Sequence, residues 1–462
     1  MSSSSSIQQG GISFYSHSMS ADEKTSLLHV EQLATRHSDW RHTLLLLVAS
    51  VMGVGVLGLP LAFYELGAAP ATLLLLLFGC GSVYSGVLIN RLTLAAGPSS
   101  RYYSDLGYHA YGRRGRCAVR AVAYTYLFGT CASIVLTAAM SLVQVVAAVA
   151  GEGAPRLCLP YAALAVCALT LPLLQVRTLH ELTWTAAAGI LFIVAPVAIV
   201  VGVLAAAGGP AGGAVPPPVP PPHAAGTAGS GGAAFWRGGT GMATIMFAFA
   251  GQVIFVELQS EMRQPADFPR AVWWASVAYG SVYLLVAVAA SHFLGSHVQA
   301  PVTLAMPTAT RAQRAAKGVA NLLLLLHVLV AFVINANVVN RAALQALVPE
   351  RLQRRRLAWL GVTLTTLALW FVIANVVPFL QDLMGLMGAT CGMALTYFFP
   401  IAFARKTLRE KLGPRELRAL PWVLALAALA SLVATLSVIV NTIEHLDTSV
   451  VPPFSCGFGS RP

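Results

Sequence analysis

Two stretches of this chain set small and polar residues inside long apolar runs, where their chemistry would be that of holding ions within a membrane. The first, HTLLLLVASVMGVGVLGLPLAFYELG, carries Gly53, Gly55, Gly58 and Pro60 in the middle of an otherwise continuous apolar helix. The second, GTGMATIMFAFAGQVIFVELQSEM, centres on Gly251 and Gln252, with Glu257 and Glu261 further along. Gly and Pro weaken the helical hydrogen-bond ladder, and backbone groups freed in hydrocarbon must be satisfied by protein, water or ligand. A break therefore implies a polar cavity. The N-terminus of a half-helix there favours an anionic group and unwound carbonyls hold a cation, so a molecule carrying both charges, such as an amino acid, suits the pair. The competing reading is that the glycines only let neighbouring helices approach closely.

The glycines of the first stretch also spell G-x-G-x-x-G. A dinucleotide site needs a preceding strand, a following soluble helix and an acid about 20 positions on. Here the motif lies at membrane depth and Glu65 comes too early, which excludes that reading.

Other polar groups fall inside apolar runs, where an ionisable side chain is a functional candidate. Glu257 reads either as a cation-coupling carboxylate or as a buried carboxyl bonded to the broken ladder. Glu261 reads as interfacial. His327, Asn335, Asn337 and Asn340 occupy one run. His327 and Asn337 are ten residues apart, just under three turns, so they share a face with Asn340. They line a cation path or hydrogen-bond between helices. Gln381 and Asp382 read as a helix cap near the external surface.

The elements that would position these groups follow from composition. Of 462 residues, 57% are hydrophobic and only 10% charged, against about a quarter charged in a soluble domain. Lipid is the solvent for most of this chain. A hydrocarbon layer about 30 Å thick is crossed by roughly 20 apolar residues. Eleven runs qualify, near 42–66, 69–93, 117–150, 157–176, 182–207, 239–261, 270–294, 317–340, 357–377, 379–403 and 419–443. The expected fold is an all-α polytopic membrane protein with broken spans one and six, five helices apart, as a five-plus-five inverted repeat requires.

The net charge of +12 would suggest nucleic acid in a soluble protein, but here it sorts by topology. With the N-terminus inside, 23 of the 29 Lys and Arg fall on the cytoplasmic side, as the positive-inside rule requires. The other 6 are Arg156, Arg237, Arg311, Arg314, Lys317 and Arg461. This divides the chain into a disordered cytoplasmic tail (1–40), a transmembrane domain (41–444) with a Gly/Pro-rich external loop (208–238), and an external or lumenal tail (445–462). The tail carries no secretory signal peptide. Seven scattered cysteines show no metal spacing and read as small packing residues, with a lumenal Cys158–Cys456 bridge as the alternative. No nucleophile, acid/base or metal cluster suggests an enzyme, and no charged ring suggests a channel.

At the two broken stretches the sequence resembles a known family. GVGVLGLPLAFYELG is similar to the opening of the amino acid/auxin permease family, and FAFAGQVIFVELQSEM resembles span six of its plant lysine/histidine and other amino acid permeases. Weaker similarity at YSDLGYHAYGRRGR, around His327 and from Ala374 to Gly388 extends it over most of residues 40 to 445. The resemblance implies a leucine-transporter fold and proton-coupled amino acid uptake without a cofactor, with sodium as the other coupling ion the family uses. It also implies that backbone around Gly53, Val54, Gly55 and Val56 holds the substrate, with Phe247, Phe249, Gly251 and Gln252 opposite. The family often has His where this chain has Gln252. Finally, Glu23, Leu27 and Leu28 in the tail resemble an acidic dileucine signal read by a sorting adaptor. That would place the protein on a vacuolar or endolysosomal membrane; unread, the plasma membrane remains open.

Overall fold

The computed structural model describes residues 38–97, 100–151, 157–175, 183–207, 231–353, 355–377 and 379–448, with Phe454 and Cys456. The sorting residues Glu23, Leu27 and Leu28, most of the Gly/Pro-rich loop, Pro378 and most of the C-terminal tail lie outside the described residues. Among the described residues the chain is helical, and the single β-type pairing is an isolated bridge between Ser38 and Met262.

Among the described residues nine helices are long and apolar enough to cross a membrane, ten if one sharply bent pair counts as a single span. That pair is α1 (Trp40–Val51) and α2 (Gly55–Leu66). The following helices are α3 (Ala68–Ala96), α4 (Tyr103–Ala150), the shorter α5 (Leu159–Leu173) and α6 (Thr183–Ala206). After the loop come α7 (Gly231–Ala248), α8 (Phe255–Ser260), α9 (Phe268–Leu294) and α10 (Arg311–Leu347). The chain ends through α11 (Arg356–Val376), α12 (Leu380–Met387), α13 (Phe399–Thr407) and α14 (Pro414–Thr448).

Local chemistry sets several of these ends. Asp39 caps α1 by accepting the His42 N–H at 2.8 Å. Thr310 and Gln313 exchange side-chain-to-backbone bonds at the start of α10, an arrangement that satisfies two otherwise orphaned donors. α4 starts well before the expected 117, and its early part is turned by a kink at Tyr111 and Gly112. Gly112 has φ +62°, which a residue with a Cβ adopts only at a cost. This kink lets YSDLGYHAYGRRGR stay helical while changing direction before the span.

The core is built around α4 and α10, which pack along each other, and around α7, which α2, α12 and α14 all contact. Buried indoles keep their donors satisfied: Trp359 bonds to the Leu174 carbonyl at 2.9 Å and Trp370 to the Phe128 carbonyl at 3.0 Å. Leu73, Leu76, Leu77, Trp422, Leu426 and Leu429 are exposed, as lipid-facing side chains are. Between α12 and α13 the chain widens into two π turns, Gly388–Gly392 and Ala394–Phe398.

Cys158 and Cys456 are bonded to each other across 298 residues. The packing interpretation of the cysteines therefore fails for this pair. Both lie beyond helix ends instead of inside apolar runs, where an oxidising compartment can join them. The remaining five are free thiols.

Candidate functional site

Span one breaks where its glycines allow it. α1 stops at Val51 and α2 restarts at Gly55 with a bend of 61° between them. Gly53 N–H turns back to the Val51 carbonyl at 2.9 Å. Among the described residues the N–H groups of Val54, Gly55 and Val56 have no backbone partner. Three donors at a helix N-terminus thus stand open at membrane depth, a ready-made anion site.

Span six breaks beside it. α7 ends at Ala248, Phe249 and Ala250 bond back to Met246 and Phe247, and a short 3-10 turn over Gln252–Ile254 leads into α8. α2 packs along α7, which brings the two breaks together. The Tyr283 hydroxyl of α9 lies 3.0 Å from the Val51 carbonyl and 3.2 Å from the Ala248 carbonyl. One phenolic proton is shared between the last carbonyls of both half-helices, and the ring is fully buried.

The expected site residues divide by geometry. A Cβ on Gly53 would meet nothing within 4 Å, so the chain borders open space there. A Cβ on Gly55 would lie 3.0 Å from the Ala248 Cα, and one on Gly251 would strike the Val51 side chain at 2.5 Å. Those two glycines serve close helix approach, the competing reading of the sequence, while their backbones still edge the break. Val54, Val56, Phe247 and Phe249 are buried. Phe247 meets the Tyr126 ring, and Phe249 meets those of Tyr279 and Tyr283.

Gln252 is completely buried and already engaged: its amide donates to Ser82 Oγ at 2.7 Å and its oxygen accepts from Thr396 Oγ1 at 2.8 Å. It ties α3 and the π turns to the break. Glu257 is exposed on α8, and among the described residues its carboxylate shows no hydrogen bond to the broken ladder. Glu261 is exposed as well.

The polar group of α10 is not gathered at the breaks. His327 is buried with Nδ1 3.0 Å from the Gly189 carbonyl of α6. Asn335 and Asn337 donate to carbonyls of their own helix, and Asn340 accepts from Thr366 Oγ1 at 2.7 Å. Asn337 and Asn340 each keep one buried polar atom without a partner among the described residues.

Gln381 and Asp382 stand in the first turn of α12. Its N-cap is Phe379, with no side-chain cap bond. Both polar residues are buried, and Gln381 donates to Glu65 at the end of α2. Sequence reasoning overlooked Tyr283, Ser82, Thr396 and Glu65. Only Glu65 carried a signal, as an acid in an apolar run.

Apolar helices crossing a bilayer, two of them broken side by side at membrane depth, define a membrane transporter of leucine-transporter-like architecture. The chain belongs to the transmembrane amino acid transporter family: residues 36–444 match the family described as transmembrane amino acid transporter protein. It is 23% identical over 435 residues to the amino acid transporter AVT1C of Arabidopsis thaliana, covering 93% of this chain and 74% of that protein. It is likewise 23% identical over 434 residues to the N amino acid transport system protein of Neurospora crassa, covering 90% and 88%. Among solved structures, a mutant of the Eremococcus coleocola manganese transporter superposes with a TM-score of 0.53 at 14% identity, covering 89% of this chain and 88% of that one. Among the described residues no three His, Cys, Asp or Glu side chains are grouped to hold a metal ion. The chain is thus an integral membrane amino acid transporter, and its family is not one of enzymes.

Proposed function

We propose that this transporter carries small neutral amino acids together with a proton, by alternating access around the paired breaks. The observation that carries the reading is the set of N–H groups at Val54, Gly55 and Val56 without a backbone partner among the described residues, next in sequence to the open space beside Gly53. A substrate carboxylate would take those donors and the helix dipole behind them, while carbonyls of the unwound turns hold its ammonium. The surrounding Val54, Val56, Phe247 and Phe249 offer no charge to a side chain, which favours a small apolar one. Glu257, exposed on α8, is the candidate proton carrier toward the cytoplasmic side; His327, Asn335 and Asn337 are the candidates for a sodium path.

Reconstituted vesicles offered a panel of labelled amino acids, with pH and sodium varied independently, test this. Uptake of small neutral substrates driven by a proton gradient alone is expected, and Glu257→Gln should weaken the dependence on cytoplasmic-side pH. Uptake that needs sodium and ignores pH would overturn the coupling.

The alternating charges and the Cys158–Cys456 bond favour a cytoplasmic N-terminus and a lumenal C-terminus. With Glu23, Leu27 and Leu28 read by an adaptor, the working membrane bounds an acidic store and transport runs toward the cytosol. Changing Leu27 and Leu28 to Ala is then expected to move the protein to the cell surface under the microscope; an unmoved double variant would rule the signal out.

A further inference from the structure

Glu65 stands where three half-helices meet on the side of the membrane that holds the Cys158–Cys456 bond. It is in the last turn of α2 and partly buried. Gln381 Nε2 of α12 donates to its Oε2 at 2.5 Å. The same oxygen lies 3.3 Å from where a Cβ on Gly241 of α7 would be. The carboxyl is thus pressed against α7 and bonded to α12 at once.

Much of the helix contact around it is small residues and backbone. Gly58 packs against Met384 and Thr244, Gly55 against Ala248, and Gly388 against the Phe247 and Ala243 backbone. These contacts carry no titratable group. Glu65 is one.

We propose that Glu65 is a proton-operated latch: neutral, it lets α2, α7 and α12 pack shut over the breaks; ionised, it draws in water and parts them. An ionised carboxylate removed from water costs more than one amide donor returns unless a cation pairs with it. The charged and titratable neighbours of Glu65 are Asp382 from α12 and Arg237 from α7, and Arg237 also acts on Tyr64, the residue before Glu65 in α2. Asp382 is almost wholly buried and sets a second carboxyl beside Glu65. Arg237 is exposed to solvent, and among the described residues it forms no ion pair with Glu65. Inside the closed junction the ionised form therefore has one amide donor, from Gln381, and no paired cation among the described residues to offset its removal from water.

This rests on the proton-coupled reading and deepens it. A proton taken from the outer side would close the outer route behind the bound substrate, while Glu257 faces the opposite end. The latch also explains why an acid follows the broken stretch directly.

The test uses the full chain in vesicles, with the five free cysteines replaced and Ala62→Cys as reporter. Ala62 is completely buried at the same helix contact. Glu65→Gln keeps an acceptor for Gln381 but cannot titrate; Glu65→Asp still titrates. Formation of the Cys158–Cys456 bond reports that each variant is folded. In the reporter protein with Glu65 intact, and in its Glu65→Asp variant, acidifying the outer side should reduce labelling of the reporter by an impermeant maleimide. The reduction should exceed the loss from thiol protonation that Glu65→Gln itself displays. Uptake should rise several-fold on the same acidification and be flat in Glu65→Gln, which still exchanges substrate. Unchanged pH responses in Glu65→Gln overturn the latch. If the parent protein moves no proton, the coupling reading fails, yet the labelling still decides the latch.

Discussion

Tyr283→Phe should lower transport at least about tenfold while leaving the protein in the membrane. The substitution removes one oxygen and no packing volume. What it takes away is the donor that the Val51 and Ala248 carbonyls share. Val51 keeps the Gly53 N–H, whereas Ala248 is left without a backbone partner among the described residues. A buried carbonyl so stranded costs about 1–3 kcal/mol, and each 1.4 kcal/mol or so is a factor of ten. The loss falls on the closed pairing of the two half-helices. Initial uptake rates against surface-labelled protein measure it. Wild-type rates in Tyr283→Phe would mean that the breaks are held together by packing alone.

The second large effect separates two neighbouring glycines. Gly55→Leu should abolish transport by forcing α2 off α7, because even its Cβ would sit 3.0 Å from the Ala248 backbone. Its cost is in folding, and the variant should melt earlier or fail to accumulate. Gly53→Ala should accumulate normally, since its methyl enters open space. It should instead raise KM several-fold and more for larger substrates, as a group placed beside the binding backbone does. Thermal stability and uptake kinetics on the same preparations check both. A Gly53→Ala protein with unchanged KM would remove Gly53 from the site.

How much of this was legible depended on whether the signal was local. The breaks were, because Gly and Pro within a long apolar run have few other meanings at membrane depth. The partner of the breaks was not: Tyr283 is one aromatic in an apolar helix, and only the crossing of α9 beneath both half-helices gives its hydroxyl a task. Gln252 was visible as a polar residue at the centre of span six, but its engagement by Ser82 and Thr396 depends on contacts 170 and 144 residues away in sequence. The polar residues of α10 were readable as polar groups within one apolar run. What they bond to was not, since His327 meets a carbonyl of α6. Gln381 and Asp382 were readable as a polar pair at a helix start, but that Gln381 reaches across to Glu65 was not, since the two are 316 residues apart. The dileucine residues and Pro378 lie outside the described residues.

The Cys158–Cys456 bond makes the chain a lasso. Everything from the loop before α5 to the C-terminal tail is a covalent ring, and residues 208–230 lie on its circumference. One cut there by a protease opens the ring without releasing a fragment, so the nicked protein would run as one species on a gel until a reductant splits it in two.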